Sequence, residues 1–97
     1  MTETPATGTS VTDNAARSRF ELVEQGEVAF ADYRREGARL VIPHVETPAA
    51  LRGHGVAARL MEGVVAHARA EGLKIVPVCS YAQAWMRRHR EHADIVA

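Results

Sequence analysis

The stretch Leu51-Arg52-Gly53-His54-Gly55-Val56-Ala57-Ala58-Arg59-Leu60 constrains this chain more than any other. Two glycines one residue apart allow backbone conformations that other residues avoid, and let a ligand approach the main chain closely. From Val56 apolar residues recur at helical spacing, with Val56, Leu60, Val64 and Ala68 on one face beside Ala57, Met61 and Val65. A helix beginning there leaves its first N–H groups without intrahelical partners. Those donors and the positive end of the helix dipole form an anion site suited to phosphate. The loop therefore predicts a phosphate-bearing ligand held by backbone, and the rest of the chain must say which one.

Before the loop come three short strands. Phe20 and Leu22 alternate with Glu21 and Val23, a first strand ending at the turn Gln25-Gly26-Glu27. A second covers Val28 to Arg34, and a third covers Arg39 to Glu46, with Pro43 inside it. Short turns between them predict an antiparallel meander. After the loop, the helix runs from about Val56 to Glu71, and Gly72 stops it. Leu73 to Cys79 reads as a fourth strand holding Pro77, and Ser80 as the N-cap of a last helix over about Tyr81 to Arg90. The order βββ-α-β-α is an α/β (α+β) fold with a mixed sheet: a meander, then a helix crossover to a parallel strand. Residues 1–17, rich in Thr, Ser and Ala, read as a disordered tail, and residues 18–97 as the single domain.

With 97 residues, 46% apolar and 25% charged, the chain has the makeup of one small soluble domain. Its formal charge of zero argues against a nucleic-acid binder working through bulk positive charge. Cys79 is the sole cysteine, so no intramolecular disulfide is expected. No apolar run is long enough for a membrane span, and the N-terminal stretch lacks a signal-like apolar segment. The expected location is the cytoplasm, without membrane attachment. His89 and His92 share a helix face without a third ligand, so no metal is expected and both read as surface residues.

Gly53-His54-Gly55-Val56-Ala57-Ala58 satisfies the dinucleotide pattern G-x-G-x-x-A, but the context is wrong. That pattern belongs after the first strand of a βαβ unit, with an acid some 20 residues on. Here three antiparallel strands come first, and Lys74 to Ser80 hold no acid. A P-loop fails because no Gly-Lys-Ser/Thr follows. The arrangement instead resembles the Gcn5-related N-acetyltransferases, whose signature Q/R-x-x-G-x-G/A opens the central helix. Arg52-Gly53-His54-Gly55-Val56-Ala57 meets every defined position. The chain is also similar to a minimal subgroup of about 100 residues with three blocks in order. Here they are His44-Val45-Glu46, Leu51 to Gly55, and Pro77-Val78-Cys79-Ser80-Tyr81, within a resemblance running from about Phe20 to Val96.

That resemblance implies acetyl-CoA as cosubstrate, its pyrophosphate on the backbone of Arg52, Gly53, His54, Gly55, Val56 and Ala57. It places the pantetheine between two parallel strands that splay apart, with the Val45 backbone N–H near the thioester. Pro43 and Pro77 lie on the two strands concerned, and each removes a ladder donor. Glu46 is the leading general-base candidate, directly or through a water, against the alternative of a solvated carboxylate beside a turn. His44 shares its face, and imidazole chemistry suits proton transfer, although a hydrogen-bonded structural histidine is the competing reading. Cys79 precedes a helix start, and reads first as pocket wall and second as nucleophile or proton donor. Larger relatives carry a tyrosine late in the last helix as general acid. That place falls near Trp85-Met86 here, with Tyr81 a turn earlier.

Three functions follow in order. The first is an N-acetyltransferase in which an amine of a small molecule or protein attacks the thioester directly. The second is a coenzyme A binding module with little turnover, and the third an interaction domain without cofactor. An open sheet edge allows a monomer or a weak homodimer.

Overall fold

The computed structural model describes residues 11–97. Five strands form one sheet in the order β1 (Thr12–Asn14), β2 (Arg19–Glu24), β3 (Glu27–Glu36), β4 (Arg39–Glu46) and β5 (Lys74–Pro77). Strands β1 to β4 pair antiparallel, and β5 lies parallel to β4. Gln25 and Gly26, both at positive φ (53° and 76°), make the tight turn between β2 and β3. Helix α1 (Val56–Glu71) is the crossover from β4 to β5, and α2 (Ser80–Arg88) follows β5.

Alternation along the strands puts Phe20, Leu22, Ala29, Ala31, Leu40, Ile42 and Ile75 under the helices, where all are buried. Val56, Leu60, Val64 and Ala68 of α1, with Trp85 and Met86 of α2, close the same core. Gly72, at φ 68°, ends α1 through N–H bonds to carbonyls of the last turn. Among the described residues no helix covers the opposite face of the sheet. That face carries Arg19, Glu21, Phe30, Asp32, His44 and Glu46.

Two parts of the sequence reading need correction. The expected tail ends sooner than residue 17, for β1 pairs with β2 and Val11 is buried. Polar side chains fasten this segment: Tyr33 donates to Asp13 (2.6 Å), and the Asn14 amide donates to Glu21 (3.0 Å). Residues 1–10, the rest of that expected tail, lie outside the described residues. The cap of α2 is Cys79, not Ser80, because the Cys79 sulfur accepts from the Ala82 N–H at 3.3 Å. The helix stops at Arg88, where the next residue, His89, turns its Nδ1–H back to the Trp85 carbonyl (2.9 Å).

A 3₁₀ turn, Arg90–Ile95, then brings Val96 beside Ile75, and the Ala97 N–H donates to the Ile75 carbonyl at 2.8 Å. Arg69 of α1 fixes this turn with two bonds to Asp94 (2.8 and 2.9 Å). That guanidinium holds the Asp94 carboxyl down from 3.8 to about 2. A depressed acid stabilises the fold above its unfolded value and loses that contribution as pH falls towards the folded one. The melting temperature should therefore drop between about pH 4 and pH 2. Asp94→Asn should flatten that part of the curve, and an unchanged profile in circular dichroism melts would contradict the assignment.

Candidate active site

The glycine loop is built from a buried anchor outward. Leu51 closes a 3₁₀ turn, Ala49–Leu51, and is buried, so the chain leaves the core at Arg52. Arg52 donates through Nε to the Thr47 carbonyl (3.2 Å), tying the loop's two ends. Gly53 and Gly55 then take φ of 83° and 74°. A Cβ at Gly53 would meet nothing within 4 Å, and one at Gly55 only an arginine tip at 3.8 Å. The dihedral, not space, therefore requires glycine here.

Gly55 is the N-cap of α1 and contributes no side chain, and the first helical bond runs from the Arg59 N–H to the Gly55 carbonyl (3.1 Å). The N–H groups of Val56, Ala57 and Ala58 precede that bond and point out of the helix start. No acid stands in the first turn. The arrangement fits a phosphate. Thr47, Leu51 to Gly53, Gly55 to Ala58 and Tyr81 line an open cleft of about 380 Å³ at this point.

Arg59, in the first turns of α1, braces the loop. Its Nη1 donates to the His54 carbonyl (3.1 Å), and its Nη2 pairs with Glu24 of β2. The signal was present as an arginine four residues into a helix with an acid at the end of an earlier strand. Only the sheet order makes them neighbours. His54 is exposed at the loop tip.

Next to the loop the parallel ladder ends. Residues Arg39 to Ile42 pair with Lys74 to Pro77, and there the pairing stops. The N–H groups of Val78 and Cys79 both donate to the Ile42 carbonyl (3.0 and 3.2 Å), so β5 turns away. On the other side of β4 the register places Val41 opposite Arg34 and His44 opposite Asp32. Two residues, Ile42 and Pro43, therefore face the single Tyr33, which makes a β-bulge that bends β4. Beyond the bulge β4 continues to Glu46 against β3 alone. The Tyr33 N–H points to β2 (Ser18 carbonyl, 2.9 Å), so Phe30 and Asp32 point theirs to β4. Val45, opposite Ala31, thus turns its backbone N–H and carbonyl into the gap left by β5.

The same alternation aims His44 and Glu46 at the open face of the sheet, where His44 Nε2 and Glu46 Oε1 are 2.9 Å apart. Both side chains are about half exposed (52% and 54%), so water reaches the pair. Cys79 is half-buried at the turn into α2 with its sulfur already engaged as a cap. Cys79→Ser keeps a capping atom, so near-normal turnover and melting temperature are expected. Loss of turnover with the fold intact would assign the thiol a chemical role. Tyr81 lies in the wall of the loop cleft, and burial pushes its hydroxyl above the ordinary range; Arg88 opposes and Cys79 adds to that shift. Trp85 and Met86, where larger relatives place a tyrosine, are buried in the core and offer no hydroxyl.

His89 and His92 are not surface residues as expected, for both rings stack on Trp85. Glu62, Glu91 and His92 do bring possible ligand atoms within 4.8 Å of one another. Arg69, a donor only, stands 3.3 Å from His92 Nδ1, which leaves the ring proton on Nε2 facing Glu62 (3.2 Å). The nitrogen a metal would need is a donor, and the cluster binds the C-terminal turn to α1.

Residues 19–95 match the family model described as GCN5-related N-acetyl-transferase, so the chain belongs to that family. Family membership makes it an acetyltransferase in general terms. Among solved structures, the NMR solution structure of a GCN5-like protein from Staphylococcus aureus is similar, with 24% identity and a TM-score of 0.66. The likeness covers 91% of this chain and 87% of that one, and it shows the fold. No curated protein matches the sequence. No helix among the described residues is long and apolar enough to cross a membrane.

Proposed function

We propose that this protein is an acetyl-CoA-dependent N-acetyltransferase in which an amine of a small molecule or protein attacks the thioester directly. The supporting observation is the union of two features. Unpaired helix N–H groups and two left-handed glycines line one cleft with Thr47 and Tyr81, which follow the ends of β4 and β5 where those strands part. Bound there, acetyl-CoA supplies the activated acetyl group.

The chain's own part is to hold and to move protons. The backbone of Arg52 to Ala57 holds the phosphates without side-chain charge, and Arg52 adds a cation at the rim. Val45 offers its N–H to the thioester oxygen as negative charge develops there, a fixed donor that needs no reorganisation. On the open face, Glu46 takes the amine proton directly or through a water, and His44 orients that carboxylate. Tyr81, kept protonated by burial, returns a proton to the departing thiolate. Cys79 forms wall and cap. The cytoplasm, where thiols remain reduced, suits a chain with a free cysteine.

Calorimetry and thermal shift with acetyl-CoA test the reading. Saturable heat and a raised melting temperature are expected, since a ligand that binds only the folded state stabilises it. Neither effect at millimolar ligand would remove the cosubstrate. Thioester loss independent of added amine would instead favour a coenzyme-binding module.

A further inference from the structure

A second concavity of the described residues lies apart from the loop cleft. It is a groove of about 650 Å³ beyond the outer edge of β5, lined by Pro77, Gln83, Met86, Arg87, Arg90 and residues of the C-terminal turn. It shares no residue with the loop cleft. Its volume lies in the range of ligand-binding pockets.

Gln83, Met86, Arg87 and Arg90 recur at intervals of three and four, so one stripe of α2 and its extension forms a wall. Pro77 and Val96 supply apolar surface on the side of β5. The edge itself is a poor template for another strand. Ala97 already occupies the Ile75 carbonyl, and Pro77 has no N–H. Recognition here must run through side chains.

Two of the three polar side chains of the groove, Arg87 and Arg90, are cationic. Arg19, Arg34, Arg35, Arg59 and Arg69 each have a carboxylate within reach, as Arg69 has Asp94 and Arg35 has Glu71. Arg87 and Arg90 have none among the described residues. Glu91, four residues after Arg87, leans towards His92 instead (3.9 Å). Gln83 spends its amide N–H on the Val78 carbonyl (2.9 Å), which fixes it and leaves its oxygen as an acceptor. Two unpaired guanidinium groups over apolar surface suit a partner with both carboxylates and apolar side chains. In a chain of zero net charge this is a local feature, not a general attraction for anions.

We infer that this groove docks a short acidic peptide segment in which apolar residues are interleaved with aspartate or glutamate. Its apolar side chains lie on Pro77, Met86 and Val96, and its carboxylates meet Arg87 and Arg90. The inference does not rest on coenzyme binding, because the two sites are separate.

The test is a ¹H–¹⁵N NMR titration of the whole protein with a synthetic peptide of alternating glutamate and leucine, its ends blocked. Saturable shifts at Gln83, Met86, Arg87, Arg90 and Val96 are expected, with the loop amides still. R87Q/R90Q should weaken binding about tenfold or more, from two lost charge-assisted contacts, without changing the melting temperature. R88Q removes the same charge outside the groove and should leave affinity within about twofold. A peptide of alternating lysine and leucine should not bind. No saturable shifts, shifts located elsewhere, equal binding of the lysine peptide, or an equal loss in R88Q would each overturn the assignment.

Discussion

Gly55→Glu should abolish coenzyme A binding while leaving a folded protein. Gly55 caps α1 at φ 74°, and a side chain there costs about 1–2 kcal/mol in backbone strain. The larger effect is charge. A carboxylate about 4 Å from a phosphate repels it by about 4 kcal/mol near a protein surface before salt screening, and half of that is already about 30-fold in affinity. Removal of the glycine's freedom also tilts the N–H groups of Val56 and Ala57 away from a common target. Gly26→Glu is the matched control, since Gly26 has φ 76° in the β2–β3 turn and open space around it. It carries the same strain and charge, and its affinity should be that of the native chain. Equal losses in both variants would trace the effect to stability. Undiminished affinity in Gly55→Glu would send the phosphates elsewhere.

Tyr81→Phe should lower turnover about 100-fold, the lower end of what a general acid contributes, with coenzyme affinity preserved. The ring that lines the cleft remains, and no protein partner of the hydroxyl is lost among the described residues. Burial, the main influence on this phenol, keeps it protonated above the ordinary range, with Arg88 working against it and Cys79 with it. The native enzyme should therefore hold its rate well into alkaline solution, and the phenylalanine variant should lack the final decline that marks tyrosine ionisation. A loss in turnover of less than about twofold would mean that water protonates the thiolate.

How much of this could be read from residue order varies by element. Helix α1 was legible to the residue, because Gly55 and Gly72 bracket a periodic apolar run. The strand Arg39 to Glu46 was equally clear, and Pro43 within it hinted at the parting of β4 and β5. The bulge itself was not legible, since it is a count of residues across two strands. Strand β1 escaped because it is held by hydrogen bonds to Tyr33 and Glu21, whereas composition registers only its few apolar side chains. The Ser80 expectation failed because a cap is chosen by where the side chain points, and at this turn the thiol of Cys79 points inward. Arg59 and Glu24 are 35 positions apart, and nothing local joins them. Of the site, the cleft-forming loop was visible in advance. The closeness of His44 to Glu46 followed from strand alternation, and the membership of Tyr81 in the cleft wall needed the fold.

The most direct test of the central claim is an amide ¹H–¹⁵N map of the protein during titration with coenzyme A. Backbone N–H groups that bind pyrophosphate must themselves respond, unlike those of a site built from side-chain charge. The expected result is saturable shifts, largest at Gly53 to Ala58, with a second response at Val45 beside the gap between β4 and β5. Shifts confined to other surfaces, or no saturable shift at millimolar coenzyme A, would contradict it.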